Sequence, residues 1–328
     1  MSNKQILITG ATGFIGSHLV ETCLERGFKV RAFDRYNSNN DWGWLEESKY
    51  KNEIEVILGD IRDYDSVSKA MNNCNSVFHL AALIGIPYSY VSPLAYIRTN
   101  VEGTYNILEA AKNLELEEVL ITSTSETYGT AQKVPISEDH PIVGQSPYAA
   151  SKIGGDQLAT SYFKSFNLPV KIVRPFNTYG PRQSSRAIIP SIISQLLNGS
   201  NEIEIGNLTP TRDLTYVKDT CEGFIQIHES NKLFGEVVNI GMNLEISIGD
   251  LVTQIGSLMG EKIIIKTNKK RIRPKNSEVE RLLCDNSKLY KFTNWRPSFN
   301  LKEGLEEVIK WMRQSNNLNL YKADRYNI

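Results

Sequence analysis

The chain has 328 residues, with 37 basic and 37 acidic side chains, 41% hydrophobic residues and four cysteines. The balanced charge argues against nucleic acid or an anionic membrane as a partner, and no apolar run approaches the ~20 residues that span a bilayer. The cysteines have neither disulfide nor zinc spacing, and the four histidines form no metal-ligand pattern. The composition therefore predicts a soluble, cytoplasmic protein without a metal site.

The first recognisable feature is a turn rich in glycine. An apolar run at residues 5–9 precedes the sequence GATGFIG, and a helical pattern then continues to Gly27. Gly10, Gly13 and Gly16 thus lie in a strand-to-helix turn. Glycine permits a tight turn and close approach of the backbone to a pyrophosphate, which rests on the helix N-terminus. The turn predicts a dinucleotide site, although glycine also marks strand-to-helix turns that bind no ligand.

The end of the second predicted strand bears on the choice of cofactor. That strand covers residues 29–33 and is followed by Asp34. A carboxylate here suits the ribose hydroxyls of NAD and repels the 2′-phosphate of NADP. Arg31 and Arg35 weaken the argument, because an arginine can bind the extra phosphate. The pattern favours NAD.

Strands alternate with helices along the first half of the chain, which predicts a Rossmann-like, doubly wound parallel α/β sheet. The predicted strands are residues 5–9, 29–33, 54–58, 77–80, 118–122 and 170–173. Two long helices are predicted at residues 94–113 and 148–166.

Two further strand ends are suited to the cofactor. Asp60 and Ile61 follow the third strand, where an adenine would lie, although Asp60 equally suits the cap of a helix that starts near Tyr64. Ala81 and Ala82 follow the fourth strand, and their small side chains let a cofactor pass close by.

The centre of the site is predicted where the fifth strand ends. It delivers the cluster Ser123–Glu126 to the carboxyl end of the sheet, where open α/β folds bind ligands. Tyr148 and Lys152 are four residues apart and share a helix face. The ammonium of Lys152 should lower the pKa of the Tyr148 phenol, which could then take a proton from a sugar hydroxyl near neutral pH. By itself this YxxxK pattern would indicate an ordinary amphipathic helix.

Taken in order, GATGFIG, Asp34, GDIRD, HLAA, STSETYG, YAASK and RPFNTYGP resemble the extended short-chain dehydrogenase/reductases, and among them the nucleotide-sugar epimerases and dehydratases. The resemblance covers nearly the whole chain. It implies an NAD-binding domain at 1–175 and a mainly nucleotide-sugar-binding domain at 176–328, with 211–240 packing back onto the first. It also implies a homodimer through the helices near 94–113 and 147–166.

The resemblance also assigns residues to the site. The cofactor residues that it implies are Gly10, Gly13, Phe14, Ile15, Gly16, Asp34, Asp60, Ile61, Leu80, Ala81, Ala82, Thr99, Tyr148 and Lys152. The catalytic residues that it implies are Thr124, Ser125, Glu126, Tyr148 and Lys152. The substrate residues that it implies are Asn177, Arg182, Arg212, Arg273 and Glu278. Arginine is a natural bidentate partner of a diphosphate, but the basic run at 269–273 also suits a solvated surface.

The acid after the threonine indicates the reaction. In this family Tyr148 would take the proton of the sugar 4-hydroxyl while hydride leaves C4 for NAD. Simple 4-epimerases usually lack an acid in the next two positions, whereas Glu126 here could take the C5 proton. Loss of the C6 hydroxyl and return of hydride to C6 would complete a 4,6-dehydration. Related dTDP-glucose enzymes have Asp where this chain has Ser125, which could relay a proton but is a poor acid. Either Ser125 or Glu126, which would then serve both proton steps, would protonate the leaving hydroxyl.

Other functions remain open at this stage. A 4-epimerase is one, and a UDP-glucuronate decarboxylase, which also carries a TSE triplet, is another. The apolar stretch Leu83–Tyr90 (LIGIPYSY) suits an uncharged C6 better than a carboxylate. A non-catalytic NAD-sensing scaffold would be a different class, and the intact catalytic set argues against it.

Two stretches narrow the resemblance further. LIGIPYSY and the aromatic loop Tyr36–Leu45 are similar to bacterial dehydratases of legionaminic-acid-type pathways. This resemblance implies a nucleotide-activated N-acetylglucosamine as substrate, with GDP as the carrier. The residues themselves do not distinguish GDP from UDP or dTDP.

Overall fold

A computed structural model describes residues 4–322, with the exception of the side chain of Lys270. In chain order the strands are β1 (Gln5–Thr9), β2 (Lys29–Arg35), β3 (Glu55–Gly59), β4 (Ser76–His79), β5 (Glu118–Thr122), β6 (Val170–Pro175), β7 (Asn177–Tyr179), β8 (Glu202–Ile205), β9 (Thr211–Tyr216), β10 (Val237–Ile240), β11 (Glu245–Ser247) and β12 (Ile264–Thr267). The α-helices are α1 (Phe14–Glu25), α2 (Tyr64–Met71), α3 (Ile86–Val91), α4 (Pro93–Tyr96), α5 (Gly103–Asn113), α6 (Pro147–Phe166), α7 (Ile188–Leu197), α8 (Val217–Glu229), α9 (Ile248–Met259), α10 (Ser287–Phe292), α11 (Leu301–Met312) and α12 (Ser315–Leu318).

Seven strands form one parallel sheet in the order β10-β6-β5-β4-β1-β2-β3. All six predicted strands form within it, so the predicted fold class, a doubly wound parallel α/β sheet, is confirmed. The chain order reverses between β1 and β4. In open α/β sheets ligands bind at the carboxyl ends of the strands on either side of such a reversal.

Both faces of the sheet are covered by helices, which explains why its strands are largely apolar. Ile6 and Ile8 of β1 point into the core beneath α1 and α8, while Leu7 points into the core beneath α2, α5 and α6. Within residues 4–322, every helix is too short or too polar to traverse a bilayer. In the same range no group of His, Cys, Asp or Glu side chains is arranged to hold a metal ion.

The sequence prediction was wrong in two local details. The helix predicted at 94–113 is interrupted by a π-helical segment, Ile97–Glu102, between α4 and α5. Arg212 was predicted to precede a short strand, but it lies inside β9, where it pairs in register with Ile246 of β11. Hydrophobic periodicity does not reveal a π-helical turn, and the pairing that extends β9 comes from strands distant in sequence.

Elements after β6 build two smaller sheets, β11-β9-β7 and β12-β8. The chain then returns to the main sheet, since α8 packs on α1 and β10 pairs with β6. Both elements lie within residues 211–240, the stretch expected to pack on the first domain. The division into two domains stays a prediction, and its outer bounds lie beyond the described residues.

A buried ion pair joins α6 to the sheet. Nη2 of Arg174 in β6 lies 2.8 Å from Oδ2 of Asp156 in α6, and their side chains are 2% and 1% exposed. The hydroxyl of Ser123, just after β5, donates to the same carboxylate oxygen at 2.6 Å. The Arg174 guanidinium also lies 4.8 Å from the centre of the Tyr128 ring. One interaction therefore fixes α6, β5 and β6 relative to one another.

We expect Arg174→Leu to lower the free energy of unfolding by about 3–5 kcal/mol, because it leaves the Asp156 carboxylate buried without a countercharge. Urea denaturation measures this loss. The matched control is Lys302→Met, which breaks an exposed pair with Glu306 (side chains 65% and 53% exposed). That variant should lose no more than about 0.5 kcal/mol. Equal losses in the two variants would contradict the assignment.

Candidate active site

The turn between β1 and α1 allows unusually close approach of backbone to backbone. Gly10 has φ +68°, and a Cβ added there would lie 2.8 Å from the backbone nitrogen of Ala81. A Cβ on Gly16 would collide with the carbonyl oxygen of Gly10. The helix begins at Phe14 after Gly13, which has no capping side chain, so its first N–H groups are available to a ligand phosphate. The turn fits a dinucleotide pyrophosphate.

The side chain of Asp34 lies close to this turn and is hydrogen-bonded to it. Its Oδ2 accepts hydrogen bonds from the backbone nitrogen of Thr12 at 2.8 Å and from the Thr12 hydroxyl at 2.6 Å. The backbone nitrogen of Arg35 donates to Oδ1 at 2.7 Å. Arg31, which could have bound a 2′-phosphate, is paired instead with Glu55 at 2.8 Å. A carboxylate fixed in this way suits a ribose with two free hydroxyls and therefore NAD.

The residues predicted to face adenine differ in their local roles. Asp60 pairs with Arg62, whose Nε lies 2.9 Å from Oδ1, and the hydrogen bond from Arg62 lowers the pKa of the Asp60 carboxyl. The alternative that Asp60 caps α2 was wrong, because Asp63 is the capping residue. Ile61 is buried against Gly103, where a Cβ would lie 2.6 Å from the Ile61 Cδ1.

The segment after β4 runs beside the glycine turn. The backbone nitrogens of Leu80 and Ala81 both lie 3.2 Å from the hydroxyl of Thr9, which fixes the course of the chain there. Ala81 is the residue that approaches Gly10, and Ala82 follows it. Thr99 lies half-buried in the π-helical segment.

The catalytic residues predicted from sequence come together at the end of β5. Thr124 forms a hydrogen bond with the hydroxyl of Tyr148, and Glu126 lies close enough for its charge to act on that hydroxyl. Thr124, Ser125, Glu126, Tyr148 and Lys152 are between 2% and 9% exposed. Water is therefore largely excluded from the group, and charges within it interact more strongly than in solvent.

The prediction that Lys152 lowers the pKa of Tyr148 was wrong for the protein alone. Burial raises the pKa of Tyr148, the hydrogen bond with Thr124 opposes this, and the charge of Glu126 raises it further. Burial also lowers the pKa of Lys152 to about 8, while the nearby carboxylate of Asp156 raises it. The helical spacing correctly predicted a shared face, but it carries no information on desolvation, which raises the pKa of Tyr148 here.

A neutral, hydrogen-bonded histidine lies next to this group. His79 ends β4, and its Nδ1 lies 2.8 Å from the Thr9 hydroxyl. Its Nε2 lies 3.2 Å from the hydroxyl of Thr104. Burial, together with the charge of Lys152, lowers the pKa of His79 to about 3, so the ring is neutral. His79 therefore contributes packing and hydrogen bonds, and no charge, to the site.

Sequence reasoning missed Asn100, which lies in the π-helical segment. Its Oδ1 accepts from the backbone nitrogen of Leu83 at 2.8 Å, and its Nδ2 donates to the Leu83 carbonyl at 2.9 Å. The same Nδ2 donates to the hydroxyl of Ser151, beside Lys152, at 2.9 Å. Asn100 thus ties the start of the Leu83–Tyr90 stretch to α6. A polar residue within an otherwise apolar helix face was the signal that could have identified it.

Three predicted substrate residues that are distant in sequence meet in one cluster. Glu278 Oε1 lies 3.3 Å from Arg212 Nη2 and 3.5 Å from Arg273 Nη1. Burial lowers the pKa of Arg212, and the charges of Glu126 and Glu278 act against this. With two guanidinium groups and one carboxylate, the cluster keeps a net positive charge. This suits an anionic group such as a diphosphate.

The other two predicted substrate residues, Asn177 and Arg182, form no bond to this arginine cluster among residues 4–322 and differ from each other in their contacts. Asn177 begins β7, and its Oδ1 is shielded from solvent with no hydrogen-bond donor within the described part of the chain. A polar atom of this kind fits a ligand donor. Arg182 instead forms a two-point pair with Glu21 of α1 at 3.1 Å and bonds Ser17. It does not join the arginine cluster, and its role toward substrate stays a prediction.

The Leu83–Tyr90 stretch contacts the segment that carries Glu278. The Tyr90 hydroxyl lies 2.6 Å from the Ser277 hydroxyl, which donates to the carbonyl of Gln145 at 2.6 Å. On its other side, Gly85 would place a Cβ 3.7 Å from Nη1 of Arg186. The sequence interpretation gave Arg186 no role, because nothing in the linear pattern brings it to Gly85.

The sequence matches the family described as GDP-mannose 4,6 dehydratase over residues 7–308. The chain belongs to this family. A UDP-N-acetyl-alpha-D-glucosaminuronate decarboxylase from Bacillus cytotoxicus is 33% identical, over 96% of this chain and 99% of that protein. A human dTDP-D-glucose 4,6-dehydratase is 30% identical, over 95% and 91%. The crystal structure of a Bacillus cereus UDP-glucuronic acid 4-epimerase with UDP-glucuronic acid and NAD superposes with a TM-score of 0.85 and 31% identity, over 94% and 99%.

As a member of this family of nucleotide-sugar dehydratases and epimerases, the protein uses NAD, which solved relatives contain. The glycine turn, the open N-terminus of α1 and the fixed Asp34 carboxylate fit it. When bound, NAD supplies a hydride acceptor and a positively charged ring, and a positive charge near a phenol lowers its pKa. The raised pKa of Tyr148 therefore describes the protein without that charge.

We expect Asp34→Ala to weaken NAD binding by about 1.5–3 kcal/mol, the usual size of a hydrogen bond to a charged group. Titration calorimetry on protein stripped of nucleotide measures the change. Arg31→Met is the control, because Arg31 pairs with Glu55 and should leave NAD affinity nearly unchanged. Unaltered affinity in Asp34→Ala would mean that another residue recognises the ribose.

Proposed function

We propose that the protein catalyses NAD-dependent 4,6-dehydration of a nucleotide-activated hexose, GDP- or UDP-N-acetylglucosamine, to the 4-keto-6-deoxy sugar. One observation carries the proposal: the Glu126 carboxylate lies in the same buried group as Thr124 and Tyr148. An acid at this place serves no step of a simple 4-epimerisation. In that reaction the keto sugar needs only to rotate in the site, so that hydride returns to the opposite face of C4.

The first step uses Tyr148 and Thr124. Tyr148 takes the proton of the sugar 4-hydroxyl, and Thr124, already hydrogen-bonded to the tyrosine hydroxyl, holds the same sugar oxygen. NAD, when bound, would supply the acceptor for the C4 hydride that is later returned to C6. Lys152, one helical turn along α6, holds the ribose next to the nicotinamide and keeps a cation near the site at neutral pH.

The second step uses Glu126. A ketone at C4 acidifies the neighbouring C5 proton, which the Glu126 carboxylate accepts. The C6 hydroxyl then leaves as water, taking a proton from the same carboxyl group, so the glutamate ends the step ionised as it began. When hydride returns to C6, C5 takes up one proton, which balances the proton that Tyr148 removed from the 4-hydroxyl, so the sugar loses one water overall. Ser125 is beside Glu126 and equally buried, but a hydroxyl is too weak an acid to protonate the leaving group unaided.

The arginine cluster supports a nucleotide diphosphate as the carrier of the sugar. Arg212 and Arg273 supply planar guanidinium groups suited to phosphate oxygens. The buried Oδ1 of Asn177, which has no donor among the described residues, suits a donor of the ligand. Glu278 is suited to the hydroxyls of the nucleoside ribose. A thermal-shift panel of GDP-, UDP- and dTDP-sugars distinguishes the carriers, because the preferred one raises the melting temperature most at equal concentration.

Decarboxylation of a nucleotide-activated uronate is a second candidate, and one observation favours it. The apolar Leu83–Tyr90 stretch suits an uncharged C6, but the Arg186 guanidinium lies beside Gly85 of that stretch and its charge acts on the Tyr96 hydroxyl. A cation there could hold a C6 carboxylate. The Bacillus cytotoxicus relative named above is a decarboxylase of this type.

We further propose that the protein is a homodimer. The helical stretch that contains α4 and α5 exposes large apolar side chains, with Leu94 55%, Ile97 54% and Tyr105 44% exposed. Exposed apolar patches of this kind mark protein interfaces. The same face of α4, α5 and α6 on a second copy would cover them.

Isotope labelling distinguishes the candidate reactions. With GDP- or UDP-N-acetylglucosamine deuterated at C4, we expect the label at C6 of the product, because the same hydride leaves and returns. Label retained at C4 would indicate an epimerase. Release of carbon dioxide from the corresponding uronate, with no conversion of the neutral sugar, would indicate the decarboxylase.

We expect Glu126→Gln to permit oxidation at C4 but to slow product formation by about 10²–10⁴-fold, because the amide cannot act as a base. The absorbance of reduced cofactor should rise with substrate and decay slowly. Tyr148→Phe should show no such rise, because the oxidation itself needs the phenol. Glu117→Gln, just before β5 and paired with Lys4, is the control and should keep the wild-type rate. A Glu126→Gln enzyme of wild-type rate would rule out the proposed elimination.

A further inference from the structure

The C-terminal segment contacts the loop between β7 and α7. α11 ends at Met312, α12 follows, and the chain then passes Tyr321, which is 6% exposed. The Tyr321 ring packs edge-on against Trp311 with ring centres 6.1 Å apart. Its hydroxyl donates to the carbonyl of Gln183 at 2.7 Å. This hydrogen bond joins residues 138 positions apart in the chain.

The carbonyl of Gln183 belongs to the loop 180–187, which connects β7 to α7. The first half of this loop is fixed from the side of α1. His18 Nε2 lies 3.1 Å from the Pro181 carbonyl, and Arg182 pairs with Glu21 at 3.1 Å. Arg182 adopts φ +69°, an uncommon conformation for a residue with a Cβ, so the chain turns sharply there.

The second half of the loop crosses to the sugar side of the site. The Gln183 side chain donates to the carbonyl of Thr178 at 2.9 Å, and the backbone of Ala187 bonds back to Ser184 at 2.9 Å. Arg186 is exposed and reaches Gly85, as described above. Gln183 therefore lies in the middle of loop 180–187, between the part that contacts α1 and the part that contacts the Leu83–Tyr90 stretch. Its carbonyl is held from the opposite side by Tyr321.

The aromatic contacts behind Tyr321 make this anchor rigid. Trp311 packs against Trp44 with ring centres 5.6 Å apart, and the backbone of Trp44 bonds the carbonyl of Thr12 at 3.2 Å. Thr12 is the residue that holds Asp34. Trp311 thus rests, through Trp44, on the cofactor side of the site, while Tyr321 holds a loop of the sugar side.

We propose that Tyr321 is a positioning residue for the substrate sugar. Through Gln183 it sets the path of loop 180–187, and so the place of Arg186 opposite Gly85. It touches neither Thr124, Glu126 nor Tyr148, so its loss alters sugar binding and leaves the chemical steps intact. This inference rests on the proposed function, since it takes the ligand of this region to be the sugar of a nucleotide sugar.

The test uses Tyr321→Phe in the full-length protein with bound NAD. The substitution removes the hydroxyl and keeps the ring against Trp311, so the fold is retained. A lost neutral hydrogen bond corresponds to about a three- to tenfold change. We expect KM for GDP- or UDP-N-acetylglucosamine, whichever the wild type converts, to rise by that factor, with kcat within about twofold of wild type.

Hydrogen exchange supplies a second measurement that does not depend on turnover. Peptides that cover residues 183–187 should exchange faster in Tyr321→Phe, and peptides that cover β5 should not change. Tyr50→Phe is the matched control, because it removes a tyrosine hydroxyl that bonds Glu25 at 3.2 Å at the far end of α1. The control should leave both KM and loop exchange at wild-type values.

The possible outcomes separate this inference from the proposed function. A wild-type protein that converts no nucleotide sugar overturns both. A wild-type protein that is active, with Tyr321→Phe equal to it in KM and in loop exchange, overturns the positioning role alone. A fall in kcat with unchanged KM also overturns it, because Tyr321 would then act on the chemistry. A raised KM with faster loop exchange supports it.

Discussion

The buried pair between Arg174 and Asp156 is the interaction on which the rest of the site depends. Asp156 lies one helical turn beyond Lys152 on α6, and Ser123 begins the segment that contains Glu126. By binding one carboxylate oxygen to both the guanidinium and the serine hydroxyl, the protein fixes how α6 stands relative to the end of β5. The distance from Tyr148 to Thr124 and Glu126 follows from that arrangement. A buried pair is costly to desolvate, and its use here is consistent with a need for fixed geometry rather than for stability.

Exclusion of water is the second constraint, and it determines the electrostatics of the site. Burial raises the pKa of the Tyr148 phenol and lowers that of the Lys152 ammonium, so each charged form is disfavoured in the protein alone. A charged cofactor then has a large effect on the pKa of the tyrosine, because little water screens its charge. The glycine turn and the fixed Asp34 carboxylate are suited to hold such a cofactor. In the proposed reaction, proton transfer is in this way coupled to cofactor binding.

The substrate side is assembled from segments that are far apart in the chain. Arg212 in β9 meets Arg273 and Glu278 from a loop, and Tyr90 meets Ser277. Dehydratases, epimerases and decarboxylases among the relatives share the fold with this chain. Their reactions differ at C4, C5 and C6 of the sugar, which these loops and Glu126 would face. Fold-level likeness therefore identifies the family, and the choice of reaction rests on individual side chains.

The sequence alone determined the parallel sheet, the cofactor turn and the set of residues at the end of β5. Each depends on local rules: apolar runs of strand length, glycine between a strand and a helix, and residues four apart on one helix face. Tertiary structure decided what local rules do not contain. Burial reversed the expected effect on the pKa of Tyr148, and Arg182 paired with Glu21. Arg186 came to lie beside Gly85, and Tyr321 bonded the carbonyl of Gln183. Desolvation and long-range contacts arise only when the chain is packed, because they depend on which segments exclude water from one another.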